Sequence, residues 1–312
     1  MWQQKLRENF RNLTELLDYL EIENRLPFTN TSFPLNLPRR LAEKIEKNTL
    51  DDPLLRQFLP LTEEHKPLPG FTLDPVSDCT FQKTPNLLQK YKSRALLITT
   101  GACPMHCRYC FRQNYDYQKA EWEEELAIIK NDPTLIEIIL SGGDPLSLSD
   151  RRLKELFEKL ENIPHLQIVR FHTRFPIGIP ERITPEFIDL IQNTRLQTIF
   201  IVHTNHPKEL DRDVLSSLKK LPCPVLTQSV LLKGVNDDLS TLKQLFLKLI
   251  SNGIIPYYLH QLDRVQGAGH FEVPKEQGLK LIEALRENLP GYAVPRYVQE
   301  LPGEKSKTVV NQ

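Results

Sequence analysis

Beyond about residue 93 the chain alternates between short apolar runs and longer stretches whose apolar residues recur every three or four positions. Short apolar runs read as buried strands, and the 3.6-residue period reads as helix with one buried face. Strands are predicted at 95–99, 136–140, 167–171, 198–202, 225–230 and 254–259, with helices at 122–130, 151–160, 185–192, 209–218, 240–251 and 275–287. This alternation predicts an α/β fold with a parallel sheet and right-handed crossovers. Six units fit an incomplete (β/α)6 barrel, because a full eight would need more chain, and 292–298 is a candidate last strand.

The first 85 residues have a different texture. Leu6, Phe10, Leu13, Leu16, Leu17 and Leu20 recur at helical spacing and predict one amphipathic helix over 2–19. Pro27, Pro34 and Pro38 interrupt the chain, 37–47 reads as helix, 54–59 as a short turn, and Pro60, Pro67, Pro69, Pro75 and Pro85 mark an extended connection. The expected organisation is a helical extension over 1–85 packed on the main unit, a partial barrel over 86–300 and a short terminal segment over 301–312.

Composition narrows the function classes. Forty basic and forty acidic residues give no net charge, which argues against a broad electrostatic footprint for nucleic acid or an anionic membrane. No apolar run reaches membrane-spanning length, and the start MWQQKLRENF lacks an apolar signal core. Five cysteines, three of them clustered, suit metal ligation in a reducing compartment better than a disulfide framework, so a cytoplasmic location is expected.

The cluster is Cys103, Cys107 and Cys110, in TTGACPMHCRYCFR, spaced C-x3-C-x2-C. Three thiolates suit three corners of a [4Fe–4S] cluster and leave the fourth iron open for a small molecule. Zinc held with His106 as fourth ligand, and a Cys107/Cys110 redox dithiol, are the alternative readings. Cys79 and Cys223 stand alone and read as buried and unreactive. A polar cluster follows each predicted strand: the cysteine loop, then Ser141-Gly142-Gly143-Asp144-Pro145, HTR with Arg174, HTNHP with His203 and Asn205, Gln228, and HQLD. In α/β barrels that end of the strands carries the chemistry.

The cysteine spacing followed by SGGDPL resembles the radical S-adenosylmethionine (SAM) enzymes. The resemblance implies that SAM chelates the open iron and is cleaved by an electron from the cluster to give a 5′-deoxyadenosyl radical. It implies Gly142, Gly143 and Asp144 as SAM contacts; Arg174 and Gln228, on the same mouth, are further candidates. KYKSRALLITTGACPMHCRYCFR, TQSVLLKGVND, IPYYLHQLDRVQGAGHF and GYAVPRYVQELPGEKSKT resemble the lysine 2,3-aminomutases within that superfamily. There a lysine after a Pro-Gly turn carries pyridoxal phosphate (PLP), here Lys307, with Lys305 its neighbouring competitor. Arg94 and Lys90 correspond to basic residues at the PLP phosphate, Lys90 standing where the family often has arginine. Arg112 corresponds to the residue that grips the substrate carboxylate. Asp263 and Glu300 correspond to two acids that bind the substrate's distal ammonium, Glu300 replacing the usual aspartate.

DDPLLRQFLP, PGFTLDP, DRVQGAGHF and GEKSKT resemble the branch serving elongation factor P, in which free (S)-α-lysine becomes (R)-β-lysine and a separate ligase attaches it to the factor. The resemblance therefore implies an isomerase using a [4Fe–4S] cluster, SAM, PLP, free lysine and a reducing electron donor. Aminomutase activity for other β-lysine metabolism, and a non-catalytic metal-stabilised interaction protein, are the alternatives.

Overall fold

The computed structural model describes residues 2–311 except 24–27, 29–31 and 120; Pro27 lies outside the described residues. One sheet carries ten strands in sequence order: β1 (Gln82–Thr84), β2 (Leu87–Tyr91), β3 (Arg94–Thr100), β4 (Glu137–Gly142), β5 (Ile168–Thr173), β6 (Gln197–His203), β7 (Val225–Val230), β8 (Ile255–His260), β9 (Arg296–Gln299) and β10 (Thr308–Val309). From β3 to β9 every pairing is parallel; β1, β2 and β10 are antiparallel additions at the two edges. The sheet is not closed, since β1 and β10 end it. Six strand–helix units and a final parallel strand are thus the six predicted units plus the candidate last strand.

The crossover helices start where the local chemistry directs. Ser149 accepts from the Arg152 amide ahead of helix Asp150–Glu161, Thr184 from Phe187 ahead of Pro185–Asn193, and Asp238 from Thr241 ahead of Leu239–Ile250. Such caps satisfy amides that a helix leaves free. The layer between sheet and helices is aromatic: Phe171 of β5 stacks on Phe200 of β6 with centroids 4.7 Å apart and meets Phe157 and Phe187 of the flanking helices at 5.9 and 5.7 Å. All four rings are fully buried, and each contributes about 1.5–3 kcal/mol of hydrophobic stabilisation. Because side chains alternate along a strand, the residues between these point into the barrel.

The extension differs from its expected form. In place of one helix over 2–19 there are two, Trp2–Arg7 and Leu13–Tyr19. Between them Phe10 exchanges both backbone hydrogen bonds with Leu37, at 2.9 and 3.0 Å, and Asn12 caps the second helix. Pairing with a distant segment outcompetes helix continuation there. The helix expected over 37–47 shrinks to Arg39–Ala42, and the turn at 54–59 is helix Pro53–Arg56, capped by Asp52. Leu16, Leu37, Leu54 and Phe58 join the same hydrophobic core as the barrel. The β1–β2 hairpin and β10 were not expected; each is short, and the hairpin turns at Pro85 in a stretch that prolines mark as loop. Among the described residues no helix is long and apolar enough to cross a membrane.

Candidate active site

The carboxyl ends of β3 to β9 open onto one mouth. The cysteine loop leaves β3 there and is held from the side of the extension. His106 donates its backbone amide to Asn36, brings Nδ1 to 2.8 Å from the Pro34 carbonyl and stacks on Phe33 at 4.6 Å. Arg108 pairs with Glu64 and donates to the Phe33 carbonyl at 2.6 Å. His106 is thereby turned toward the extension. Among the described residues no group of three or more His, Cys, Asp and Glu side chains could hold a metal ion. His106, held on the Pro34 carbonyl and the Phe33 ring, does not supply the fourth ligand that the zinc reading needs. A four-iron cube spreads its thiolates around its corners, more widely than the ligands of one ion.

The three thiols still face a common space. Burial pushes the Cys103 thiol well above its usual range, with Asp144 and Cys107 adding to it. Burial and Cys107 push Cys110 up to about 11. Cys107 Sγ accepts from Arg174 Nη1 at 2.7 Å. Buried thiols this close together gain by giving their protons up to a metal. The residues present therefore fit a [4Fe–4S] cluster.

Cys79 corrects the expectation of burial. It is exposed, because its neighbour Asp78 takes the inward position on the turn, and its thiol is raised by a hydrogen bond with Asp74. Cys223 is partly buried, and burial pushes it up to about 12.

The SGGDP loop after β4 is locked onto the cysteine loop. Gly143 donates to the Thr100 carbonyl at 2.7 Å and Asp144 to the Ala102 carbonyl at 2.8 Å. A Cβ on Gly143 would sit 2.2 Å from the Ala102 oxygen, and Gly142 has φ +117°. Only glycine fits such contact and conformation. The Asp144 carboxylate is spent on protein donors: the amides of Leu146, Arg174 and Phe175 at 3.0, 2.7 and 3.0 Å, and the Thr173 hydroxyl at 2.8 Å. Burial still raises it to about 6. The structure makes Asp144 a staple between the second and third loops; its carboxylate meets protein rather than open space.

Arg174 is likewise held within the protein. Besides Cys107 it donates to the Tyr109 hydroxyl, to Gln57 at 2.7 Å and to Glu209 at 3.0 Å, leaving its buried Nε without a partner. Asn205 joins the same network through Gln57 at 3.0 Å and Tyr109 at 2.6 Å. Gln228 stands on the inner face of the barrel between His203, at 2.5 Å, and His260, at 3.2 Å, with His172 beyond His203. Burial lowers all three imidazoles, His203 to about 3, so this lining is uncharged at neutral pH. His172 Nε2 is buried and has no partner. An uncharged, hydrogen-bonding wall with an orphaned nitrogen fits a polar ligand such as SAM.

Charge gathers where the two ends of the sheet approach. Lys307 Nζ lies 2.7 Å from Glu300 Oε2; the Tyr91 hydroxyl of β2 donates to Glu300 Oε1 at 2.9 Å; Lys90 Nζ is 3.7 Å from the same oxygen. Burial would raise Glu300, but Lys307 and Lys90 overcome it and hold the carboxyl below its usual range. Lys90 also pairs with Asp78 at 3.0 Å, and Arg112 Nε reaches the other Asp78 oxygen at 2.7 Å. Burial raises Asp263 to about 7 despite Lys307 nearby. Arg94 lies at the start of β3 with its guanidinium 4.4 Å over the Tyr91 ring. Lys305 is exposed. A primary amine among basic and acidic groups fits PLP in its residue types, though Lys90 is already committed to Asp78.

The structure thus brings Lys90, Arg94, Arg112, Asp263, Glu300 and Lys307 into one neighbourhood and the cysteines, Gly142, Gly143, Arg174 and Gln228 into the adjoining one. Sequence reasoning missed Asp78, Tyr91, Tyr109, Gln57 and Glu209. Asp78 sits in a proline-marked stretch and carries no periodic signal; Gln57 and Glu209 become partners only in the fold.

Comparison with known proteins gives the family. Residues 97–246 match the radical SAM superfamily, from within β3 to within helix Leu239–Ile250. The domain implies a [4Fe–4S] cluster and SAM. The chain is 43% identical over 285 residues to L-lysine 2,3-aminomutase of Haemophilus influenzae, covering 89% of this chain and 84% of that one. It is 39% identical to the Escherichia coli protein of that name, covering 98% and 93%, and 32% identical to the Clostridium subterminale one, covering 99% and 77%. The chain belongs to the lysine 2,3-aminomutase family of radical SAM enzymes, whose members are isomerases of the aminomutase type.

Proposed function

We propose that the chain moves the α-amino group of free (S)-lysine to the β-carbon, giving (R)-β-lysine, with PLP as second cofactor. The observation that carries this reading is the division of charge at the mouth. The Arg112 guanidinium, anchored on Asp78, stands at one end, whereas Glu300 and Asp263 bring two carboxyl groups around Lys307 at the other, Asp263 ionising fully only above about pH 7. An amino acid with a distal ammonium matches both ends, and an acidic side chain would be repelled by the second.

Cys103, Cys107 and Cys110 hold the cluster; Gly142 and Gly143 keep their loop seated; Gln228 and the neutral imidazoles line the SAM side. Lys307 would hold PLP and Arg94 would meet its phosphate; Lys90, the second residue that the resemblance puts there, is here paired with Asp78 and the Val76 carbonyl. When bound, the cluster and SAM supply a carbon-centred radical and PLP supplies a delocalised electron sink. The chain's own residues orient the substrate. Arg112 meets the α-carboxylate with a guanidinium fork. Asp263 and Glu300 fix the distal ammonium.

The product is read as destined for elongation factor P through a separate ligase, on the motif resemblance alone, and the chain as cytoplasmic. Anaerobic reconstitution with iron, sulfide, SAM, PLP and lysine, followed by chiral analysis, tests the reaction. Loss of β-lysyl factor on deleting the gene tests the destination; unmodified loss of free β-lysine alone would favour other β-lysine metabolism.

A further inference from the structure

We propose that Asp78 is a positioning residue that sets Arg112 for the substrate α-carboxylate and so brings the 1–85 extension into substrate selection. The inference rests on Arg112 as the group that meets that carboxylate.

The Asp78 side chain is 3% exposed, although the residue lies on a surface turn rich in proline. The turn is built to aim it inward. Ser77 has φ 53°, a left-handed conformation uncommon outside glycine, and Asp74 accepts the amides of Asp78 and Cys79 at 2.9 and 3.0 Å. One carboxylate oxygen takes Arg112 Nε at 2.7 Å; the other takes Lys90 Nζ at 3.0 Å, and Lys90 is itself tied to the Val76 carbonyl at 2.7 Å. Arg112 Nη1 lies 3.3 Å from Ser141 Oγ, and no protein acceptor among the described residues meets Nη2.

Gripping a guanidinium by Nε fixes its plane and leaves the two terminal nitrogens as an end-on fork for a second carboxylate. The charge count has the same sense. Asp78 shares its charge between Arg112 and Lys90, and Lys90 also has Glu300 at 3.7 Å, so Arg112 keeps part of its positive charge for the incoming anion. Without Asp78, Lys90 would keep only the more distant Glu300 and the Arg112 fork would lose its anchor and its orientation.

The test uses the reconstituted holoenzyme with SAM and measures equilibrium binding of lysine and of lysinamide, which keeps the shape but lacks the carboxylate charge. Asp78→Asn should weaken lysine binding by about tenfold or more, the scale of a hydrogen bond to a charged group, and change lysinamide binding less than about twofold. Asp78→Glu keeps the charge balance for folding but displaces the anchor by one methylene, and should weaken lysine selectively as well. Arg112→Lys serves as the reference. If it loses lysine while both Asp78 variants bind lysine like the parent, the positioning role is overturned and the reading of Arg112 stands. If Arg112→Lys retains lysine affinity, the reading of Arg112 falls and the proposal with it. Equal weakening of lysine and lysinamide by the Asp78 variants would show a merely structural residue and overturn the proposal.

Discussion

Glu300 and Lys307 face each other across the last hairpin, 2.7 Å apart, because the pairings Gln299 to Thr308 and Val298 to Val309 make them the next opposed pair. Six residues of loop separate them, and register alone joins them. Glu300 also takes the Tyr91 hydroxyl of β2. One carboxylate thus ties together the two ends of an open sheet and the amine read as the PLP anchor.

Glu300→Gln should therefore misplace Lys307. Borohydride reduction of the PLP-loaded parent should fix the label on Lys307, and the variant should label less under the same conditions. The acid branch carries a second signature. Glu300 is held below its usual range, so its contribution is present above the unfolded carboxyl pKa, about 4.3, and is lost as pH falls through the lower folded value. The variant should lack that part of the acid transition. Label on Lys305 with Lys307 free would sink the assignment.

Cys103, Cys107 and Cys110 should each be indispensable for the cluster. Replacing any one by Ala is expected to remove the iron–sulfur absorbance and all SAM cleavage, whereas Cys79→Ala and Cys223→Ala should leave both intact, since one is exposed and the other part-buried without a thiol partner in its surroundings. Zinc at full occupancy in anaerobically purified protein would contradict the assignment.

Gly143→Ala tests the seam between the first two loops. The new Cβ would sit 2.2 Å from the Ala102 oxygen and 2.7 Å from that of Gly101, both backbone atoms that cannot rotate away. The cysteine loop must shift, so iron content after reconstitution should drop severalfold while the rest of the barrel keeps its helical circular dichroism. Parent-like iron content would mean that the seam tolerates movement.

The barrel was legible because its signals are local: an apolar run reads as strand, and an apolar stripe as helix, wherever the rest of the chain lies. The three thiols, the two glycines and Lys307 were visible for a related reason, since unusual residues at fixed spacing stand out in one dimension. What stayed hidden depends on long-range pairing. Phe10 breaks a helical stripe to pair with Leu37, and Asp78 gains meaning only when Lys90 and Arg112 close around it. Asp144 and Arg174 were found as residues, but their protein partners, the Thr173 to Phe175 turn and the Gln57–Glu209 pair, come from loops far apart in sequence.

Asp263 gives the pH dependence two opposite signs. Burial lifts its folded pKa to about 7, above the unfolded value of about 3.9. Between those values the folded chain holds the proton better than the unfolded chain, so the stability contributed by this group falls as pH rises from about 4 to about 7. Lysine binding runs the other way. A distal ammonium needs the carboxylate, so lysine affinity should rise with pH and level off above about 7, with the proton released on binding. Asp263→Asn should flatten both slopes: thermal stability would lose its decline between about pH 5 and 7, and lysine KM would lose its improvement over the same range, while turnover drops strongly and SAM binding stays near that of the parent. Leaving the lysine ammonium without this partner in a buried site is the kind of loss that costs about 3–5 kcal/mol when a buried pair is broken, tempered here by Glu300. If the variant keeps the parent's pH profile for KM, or if glutamate or alanine is isomerised as well as lysine, Asp263 and Glu300 do not select the substrate.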